Sequence, residues 1–143
     1  MIGQMLGQYR IESKLGEGGM GEVYKARDTR LTRFAAVKVL HGERTADPDR
    51  RRRFVQEAQA ASSLNHPNIV HIYDIDRSSD MDFIATEYVA GKTLDRVTGK
   101  TGLLVKEAIG YAVQTAHALT AVHAAGIVHR DIKPGKPTSR IAG

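Results

Sequence analysis

Three glycines and one lysine have the types and spacing that suit phosphate binding. Gly16, Gly18 and Gly21 lead to Val23 in a G-x-G-x-x-G-x-V pattern, and Lys38 follows fifteen residues after that valine. Glycine lets the backbone adopt positive φ and approach a ligand closely, which suits a loop folded over phosphates. An ordinary hairpin turn is the alternative interpretation of the glycines alone, because glycine is common in turns.

The residues after the glycines decide between two kinds of phosphate-binding loop. A dinucleotide-binding loop needs a helix directly after its glycines, with the helix N-terminus facing the pyrophosphate. The segment Glu22-Val23-Tyr24-Lys25-Ala26 is instead alternating, with β-branched and aromatic residues, which is typical of a strand. The sequence therefore predicts a strand, a glycine loop and a second strand, and argues against a dinucleotide fold.

A lysine and a glutamate lie on apolar faces of two further predicted elements. Lys38 is the only charged residue of the predicted strand 34–40, and a buried ammonium is costly unless an anion meets it. Glu57 follows Phe54 by three residues in a helix predicted over residues 47–64, so that it falls within the apolar sector of that helix. We expect Lys38 and Glu57 to pair. A lysine that extends into solvent at a sheet edge is the alternative.

Hydrophobic periodicity predicts the other elements. Strands are predicted at residues 9–15, 69–73 and 83–89, with residues 1–8 as an irregular lead-in and residues 76–82 as a polar turn. A long helix is predicted over residues 103–125. Its apolar face is formed by Ile109, Ala112, Val113, Ala116, Leu119 and Val122.

Composition narrows the classes of function. The 143 residues suit one domain, and the absence of cysteine excludes disulfides and thiolate metal sites. No segment reads as a secretory signal or a membrane span, so that we expect a cytoplasmic protein with no membrane segment. The net charge of +5 includes Arg50–Arg53, interpreted as a solvated helix start because no aromatic residues interleave with it. No nucleic-acid partner is therefore expected.

Together these motifs resemble the protein kinase family, specifically the bacterial serine/threonine kinases that are similar to eukaryotic ones. The resemblance covers residues 9–135. Besides the glycine loop and Glu57, it rests on Ala35-Ala36-Val37-Lys38, His66-Pro67-Asn68-Ile69-Val70, Glu87-Tyr88-Val89 and His129-Arg130-Asp131-Ile132-Lys133-Pro134.

The resemblance implies an α+β fold and two parts of a kinase domain. Residues 9–89 would form the N-terminal lobe, a five-stranded antiparallel sheet plus one helix that binds the nucleotide. Residues 90–135 would supply the hinge side, the first long helix of an incomplete C-terminal lobe and the start of the catalytic loop. Residues 136–143 form an unrelated tail, which we expect to be unstructured.

The resemblance also implies ATP and Mg²⁺ as cofactors, and serine or threonine hydroxyls of proteins as phosphoryl acceptors. Asp131 would accept the proton of the substrate hydroxyl, and Lys133 would stabilise charge on the transferring phosphoryl group. His129 is interpreted as a structural histidine. The residues expected to bind ATP are Leu15, Gly16, Gly18, Gly21, Val23, Ala36, Lys38, Glu57, Glu87 and Val89.

The chain departs from the family pattern at Lys136, where the family has the asparagine that binds magnesium. An ammonium has no lone pair for a metal, and no Asp-Phe-Gly follows, so that we expect no metal site and no appreciable phosphoryl transfer. We interpret the change at residue 136 as the mark of a frameshifted or truncated kinase gene. Two alternatives remain: a nucleotide-binding pseudokinase fragment or docking module for a full-length kinase, and a product that folds poorly.

Overall fold

The computed structural model describes residues 1–18, 21–40 and 47–127. Six antiparallel strands in these residues form one sheet with the order β1-β2-β3-β4-β6-β5. The strands are β1 (Met5–Leu6), β2 (Tyr9–Gly18), β3 (Gly21–Asp28), β4 (Arg33–Leu40), β5 (Ile72–Ser78) and β6 (Met81–Glu87). The helices are α1 (Pro48–Ser62), α2 (Leu94–Thr98) and α3 (Val105–Ala124).

The chain divides into two compact units. The first comprises Met1–Ser62 and His71–Tyr88, and it contains the whole sheet together with α1. The second comprises Ser63–Val70 and the chain from Val89 onward, where α2 and α3 lie. The sheet with its single helix confirms the predicted α+β fold of a kinase-like N-terminal lobe.

One face of the sheet carries the hydrophobic core. Alternate residues along β3 and β4 are buried, as expected when successive side chains of a strand point to opposite faces. The rings of Tyr9 and Phe83 meet edge to face with centroids 6.0 Å apart. The buried cluster consists of Leu6, Tyr9, Ile11, Tyr24, Ala26, Ala35, Val37, Val39, Phe83 and Ala85.

The first residues differ from the predicted irregular lead-in, because Met5–Leu6 forms β1 and pairs with β2. Leu6 is only 1% exposed and belongs to the core, while Gly7 adopts φ +56° in the turn to β2. A two-residue strand is too short to show a period in the sequence, so that only tertiary packing reveals it. The sheet therefore has five long strands, as predicted, and one short one at its edge.

A buried carboxylate fixes the turn from β3 to β4. Asp28 accepts hydrogen bonds from Gln8 Nε2 at 3.1 Å and from the backbone N–H groups of Arg30 and Leu31 at 2.9 and 3.1 Å. Burial by itself would raise the pKa of Asp28, but the hydrogen bonds from Leu31, Gln8 and Arg30 outweigh it and hold that pKa below its ordinary value. The charged form of Asp28 is therefore built into the fold.

Strand β5 begins three residues later than predicted and is longer, since it spans Ile72–Ser78 instead of residues 69–73. The predicted polar turn over residues 76–82 is also too long, since β6 resumes at Met81 after the two-residue turn Ser79-Asp80, whose φ angles are +51° and +63°. Positive φ at both positions is the geometry that matches the twist of a hairpin. Because β5 is an edge strand, it tolerates aspartates that suggested a loop in the sequence.

The long predicted helix is present as α3, Val105–Ala124, but its predicted apolar face is largely exposed. Ile109 is 59% exposed and Val113 is 49% exposed, and Ala118 is the buried residue of the helix. In the same unit, Asn68 Nδ2 donates to Gln114 Oε1 at 3.0 Å. Among the helices of the described residues, none has the length and apolarity needed to cross a bilayer.

Candidate functional site

The glycine pattern lies on the hairpin between β2 and β3, as the sequence predicts. Gly16 pairs with Val23 and Gly18 pairs with Gly21, while residues 19 and 20 lie outside the described residues. Gly21 has φ +141°, and a Cβ there would lie 1.9 Å from the carbonyl oxygen of Val39. A Cβ at Gly16 would have nothing within 4 Å. The backbone of β4 thus requires glycine at position 21, while the flank at Gly16 is open.

A cluster of charged and hydroxyl groups connects strands β2 and β3 next to this loop. Lys14 Nζ lies 2.6 Å from Glu17 Oε2 and 3.2 Å from Glu22 Oε1, and the hydroxyl of Tyr24 donates to the other oxygen of Glu22. These hydrogen bonds raise the pKa of Lys14, and the bond to Glu22 raises the pKa of Tyr24. The cluster joins β2 to β3, which helps to hold the register of the glycine hairpin.

The sheet face opposite the core, here called the second face, carries three of the predicted site residues. In the strand ladders, Lys38 of β4 lies opposite Val23 of β3 on one side and opposite Ile84 of β6 on the other. These three residues form a row across the sheet. The next row contains Lys25, Ala36 and Thr86. All six are half-buried, whereas their neighbours Val37 and Ala85 are fully buried on the core face.

The sequence did not single out Ile84 and Thr86 as site residues, although they lie beside Lys38 and Ala36. The hydroxyl of Thr86 approaches the carbonyl oxygen of Ala36 at 3.4 Å. Both belong to a strand that the sequence did predict, but the order of the strands in the sheet decides which residues become neighbours. Their alternation with the buried residues Phe83 and Ala85 is the signal that identifies their face.

Helix α1 approaches the second face. Ala58 is 4% exposed, and a cleft of about 200 Å³ separates this part of the helix from β5. The cleft is lined by Ala58, Gln59, Ser62, Ile72, Tyr73, Asp74 and Ile75. Glu57 lies in α1, one residue before Ala58, but its side chain is outside the described ones, so that its pairing with Lys38 stays a prediction.

The predicted adenine-binding backbone lies where the first unit ends. The N–H of Glu87 donates to the carbonyl of His71 at 2.8 Å, and the N–H of His71 donates to Glu87 Oε2 at 3.3 Å. An adenine contact at Glu87 must therefore use a group other than its N–H. Val89 is 40% exposed and belongs to the second unit, and Leu15 is 44% exposed in β2.

A cationic and aromatic cluster adjoins the end of β6. Lys25 Nζ lies 4.2 Å from the ring centroid of Phe34 and 4.8 Å from that of Tyr88. The two rings meet edge to face at 6.1 Å, and Arg27 also lies 4.8 Å from the Phe34 centroid. Cation–π contacts at such sites contribute about 0.5–1 kcal/mol when exposed. Tyr88, just after β6, is thereby attached to the sheet by its ring.

The predicted catalytic residues Asp131 and Lys133, and Lys136 at the family's asparagine position, lie outside the described residues. Residues 1–18, 21–40 and 47–127 contain no group of three or more histidine, aspartate or glutamate side chains arranged to hold a metal ion. The roles of Asp131 and Lys133 stay predictions.

Comparison with known proteins gives concordant matches along the chain. The protein kinase domain profile matches residues 9–135. A probable serine/threonine-protein kinase of Clostridium acetobutylicum is 47% identical over 136 residues, and the serine/threonine-protein kinase PrkC of Bacillus subtilis is 45% identical over 136 residues. Each alignment covers 94% of this chain and 21% of the relative, so that the chain spans about a fifth of those proteins.

Solved structures agree with the sequence matches. The crystal structure of the PknI kinase domain of Mycobacterium tuberculosis superposes with a TM-score of 0.81 at 31% identity, covering 94% of this chain and 56% of that one. The PknA serine/threonine-protein kinase of the same organism is 40% identical over 145 residues. The glycine hairpin, the six-stranded sheet with α1 and these matches show that the chain belongs to the protein kinase family, as part of a kinase domain whose relatives are bacterial serine/threonine kinases.

Proposed function

We propose that this chain binds ATP on the second face of its sheet, as the nucleotide-binding part of a bacterial serine/threonine protein kinase. The observation that supports the proposal most is the row formed by Val23, Lys38 and Ile84, which lies directly beside the glycine hairpin. Backbone N–H groups and one ammonium make a donor set that suits the anionic oxygens of a triphosphate. The open flank at Gly16 leaves room for such a group.

Each site residue has a role in this proposal. Lys38 holds the α- and β-phosphates, and Glu57 orients Lys38. Val23 and Ala36 offer apolar surface to the adenine ring, with Leu15 beside them on β2. Adenine's polar edge meets backbone groups from Glu87 to Val89, and the amides around Gly16, Gly18 and Gly21 cover the phosphates.

The reaction proposed for the parent kinase is phosphoryl transfer to serine or threonine hydroxyls of a protein substrate. ATP supplies the γ-phosphoryl group when bound. Asp131 accepts the hydroxyl proton of the substrate, and Lys133 stabilises negative charge on the group in transfer. The residues of this sequence do not fit Mg²⁺ at the family's metal position, because the ammonium of Lys136 has no lone pair to donate.

We therefore propose that the 143-residue polypeptide binds ATP but transfers phosphate poorly. Positioning and charge stabilisation supply nearly all the catalysis in this chemistry, and Lys136 replaces one of the groups that provides it. The test is incubation with ATP labelled in the γ-phosphate and a generic protein substrate. Label that appears on the substrate, and that is lost in Lys38→Ala, would show that this expectation of inactivity is wrong.

Binding itself is tested by thermal unfolding of the purified chain with and without excess Mg·ATP. Ligand at a hundred times its Kd stabilises a folded protein by about 2.7 kcal/mol. We expect ATP to raise Tm of the unaltered chain and to raise it much less in Lys38→Ala. Lys100→Ala, which removes an exposed lysine outside the sheet, is the matched control and should keep the full shift. If Tm of the unaltered chain does not change when ATP is added, the proposal is wrong.

A docking role is the second candidate, and the exposed apolar residues of α3 favour it. Leu104 and Val105 are 72% and 75% exposed, and Ile109 follows one turn later on the same side as Val105. Such a surface is typical of a contact with another protein. Sedimentation of the chain mixed with a purified full-length kinase such as PrkC tests it. A complex that Ile109→Gln weakens would support docking, and independent sedimentation of the two proteins would exclude it for that kinase.

A further inference from the structure

Three of the four consecutive arginines at the start of α1 form ion pairs, with different partners. Arg50 pairs with Asp47 at 3.6 Å and Arg52 pairs with Asp49 at 3.1 Å, and these partners lie at the exposed beginning of the same helix. The Nε of Arg51 instead donates to Asp82 Oδ1 at 3.2 Å. This ion pair joins α1 to strand β6 of the sheet.

The partner of Arg51 is a buried carboxylate, whose negative charge needs a cation nearby to compensate it. Asp82 is 3% exposed, and its Oδ2 has no hydrogen-bond partner among the described residues. Arg77, which faces Asp82 across the β5–β6 ladder, pairs with Asp80 at 3.6 Å. A buried charge is costly unless an opposite charge meets it, and a cation at a helix N-terminus opposes the helix dipole. Both costs are offset only while Arg51 and Asp82 stay together.

The position of Asp82 relates this ion pair to the nucleotide site. Asp82 lies opposite Leu40, and Ile84, two residues further along β6, lies opposite Lys38. Residues two apart share a face and are separated by about 7 Å along a strand. The ion pair therefore attaches α1 to the second face one step away from the Lys38 row.

The other end of α1 contacts the sheet at the level of that row. Ala58 lies seven residues after Arg51, which brings the two within about 20° of the same helix face. Ala58 and Ile75 line the same cleft, and Ile75 pairs with Ile84 in the Lys38 row. Glu57 directly precedes Ala58 in α1, and therefore lies in the turn of the helix that packs beside this row.

We propose that Arg51 is a positioning residue, which through Asp82 sets how α1 lies on the second face and thereby keeps Glu57 within reach of Lys38. This inference rests on the proposed function, because the Lys38–Glu57 pair is part of that proposal. In this proposal Arg51 contacts Asp82, and its effect on ATP binding passes through Glu57. The neighbouring Arg52–Asp49 pair has the same chemistry, but both residues belong to α1 and both side chains are 69% exposed.

The test measures the Kd for Mg·ATP by equilibrium titration of the full 143-residue chain. Arg51→Ala should weaken binding roughly tenfold, in the range of coupling between distinct sites. Glu57→Gln should also weaken it, and Arg51→Ala added to Glu57→Gln should weaken it little further. Arg51→Lys should retain most of the affinity, and Arg52→Ala, the matched control, should retain all of it.

If Arg51→Ala weakens ATP binding by the same factor in the unaltered chain and in the Glu57→Gln variant, the inference is wrong. A general loss of folding would weaken binding in this way whether or not Glu57 is present. An unchanged Kd in Arg51→Ala, or an equal loss in Arg52→Ala, would overturn it too. If Arg51→Ala does not fold, Asp82→Asn takes its place under the same criteria. Failure of the proposed function is distinct, since ATP would then bind equally to the unaltered chain, Lys38→Ala and Glu57→Gln, or to none of them.

Discussion

Replacing Gly21 by alanine should destabilise the glycine hairpin far more than the same change at Gly16. At Gly21 the new Cβ would lie 1.9 Å from the carbonyl oxygen of Val39, and the residue has φ +141°. The left-handed conformation costs an alanine about 1–2 kcal/mol, and the contact forces β3 away from β4 at an additional cost of roughly 1–3 kcal/mol. We expect Gly21→Ala to lower the free energy of unfolding by about 2–5 kcal/mol.

Gly16→Ala is the matched control, because the same Cβ meets nothing within 4 Å there. Where the backbone accepts alanine, this change usually stabilises by about 0.4–1 kcal/mol through the unfolded chain. Urea unfolding of both variants, followed by far-ultraviolet circular dichroism, gives the two free energies. Values within about 0.5 kcal/mol of each other, a typical error of additivity, would contradict the close approach of Gly21 to Val39.

Three further substitutions test other parts of the structure. Asp28→Asn should lower the free energy of unfolding by about 2 kcal/mol at pH 7, through loss of charged hydrogen bonds. Because the folded-state pKa of Asp28 is depressed, its contribution is fully present above the unfolded pKa, so that the difference from the unaltered chain should begin to shrink below about pH 4 and should close only below the folded value. Asp80→Asn, at an exposed side chain, is the control and should change the free energy of unfolding at pH 7 by less than about 0.5 kcal/mol. Leu6→Ala should cost about 2–5 kcal/mol because Leu6 is buried, whereas Met5→Ala at the exposed neighbour should cost less than about 0.5 kcal/mol, and equal effects would argue against β1. Ile109→Gln should change the free energy of unfolding by less than about 0.5 kcal/mol because Ile109 is 59% exposed, and a larger loss would argue against that exposure.

The proposed site and the proposed positioning contact depend on different kinds of interaction. In the two proposals, Lys38 would act through its own charge on the second face, while Arg51 would act through its ion pair with the buried carboxylate of Asp82. Exposed ion pairs contribute about 0–1 kcal/mol, but the loss of one partner from a buried pair leaves the other charge without compensation. This difference is why Arg52→Ala serves as a control for Arg51→Ala although both remove an arginine that has an aspartate partner.

The sequence by itself determined the family and the succession of the long strands along the chain, while the site residues that it named on the sheet stay predictions. Glycines at fixed spacing between two alternating segments predicted the β2–β3 hairpin, and a lone lysine in an apolar strand predicted that Lys38 faces something other than core. These features are local, so that backbone conformation and the period of a strand or helix are enough to predict them.

Only the tertiary structure decided which residues meet across elements. Leu6 is buried because the pairing of β1 with β2 places its side chain in the core. Strand β5 begins at Ile72 because an edge strand tolerates aspartates, which in the sequence suggested a loop. The run Arg50–Arg53 reads as solvent-exposed in sequence, since four identical side chains give no sign of which one reaches the sheet. The contact of Arg51 with Asp82 depends on the rotation of α1 about its axis and on the strand order β4-β6-β5, which no single segment encodes.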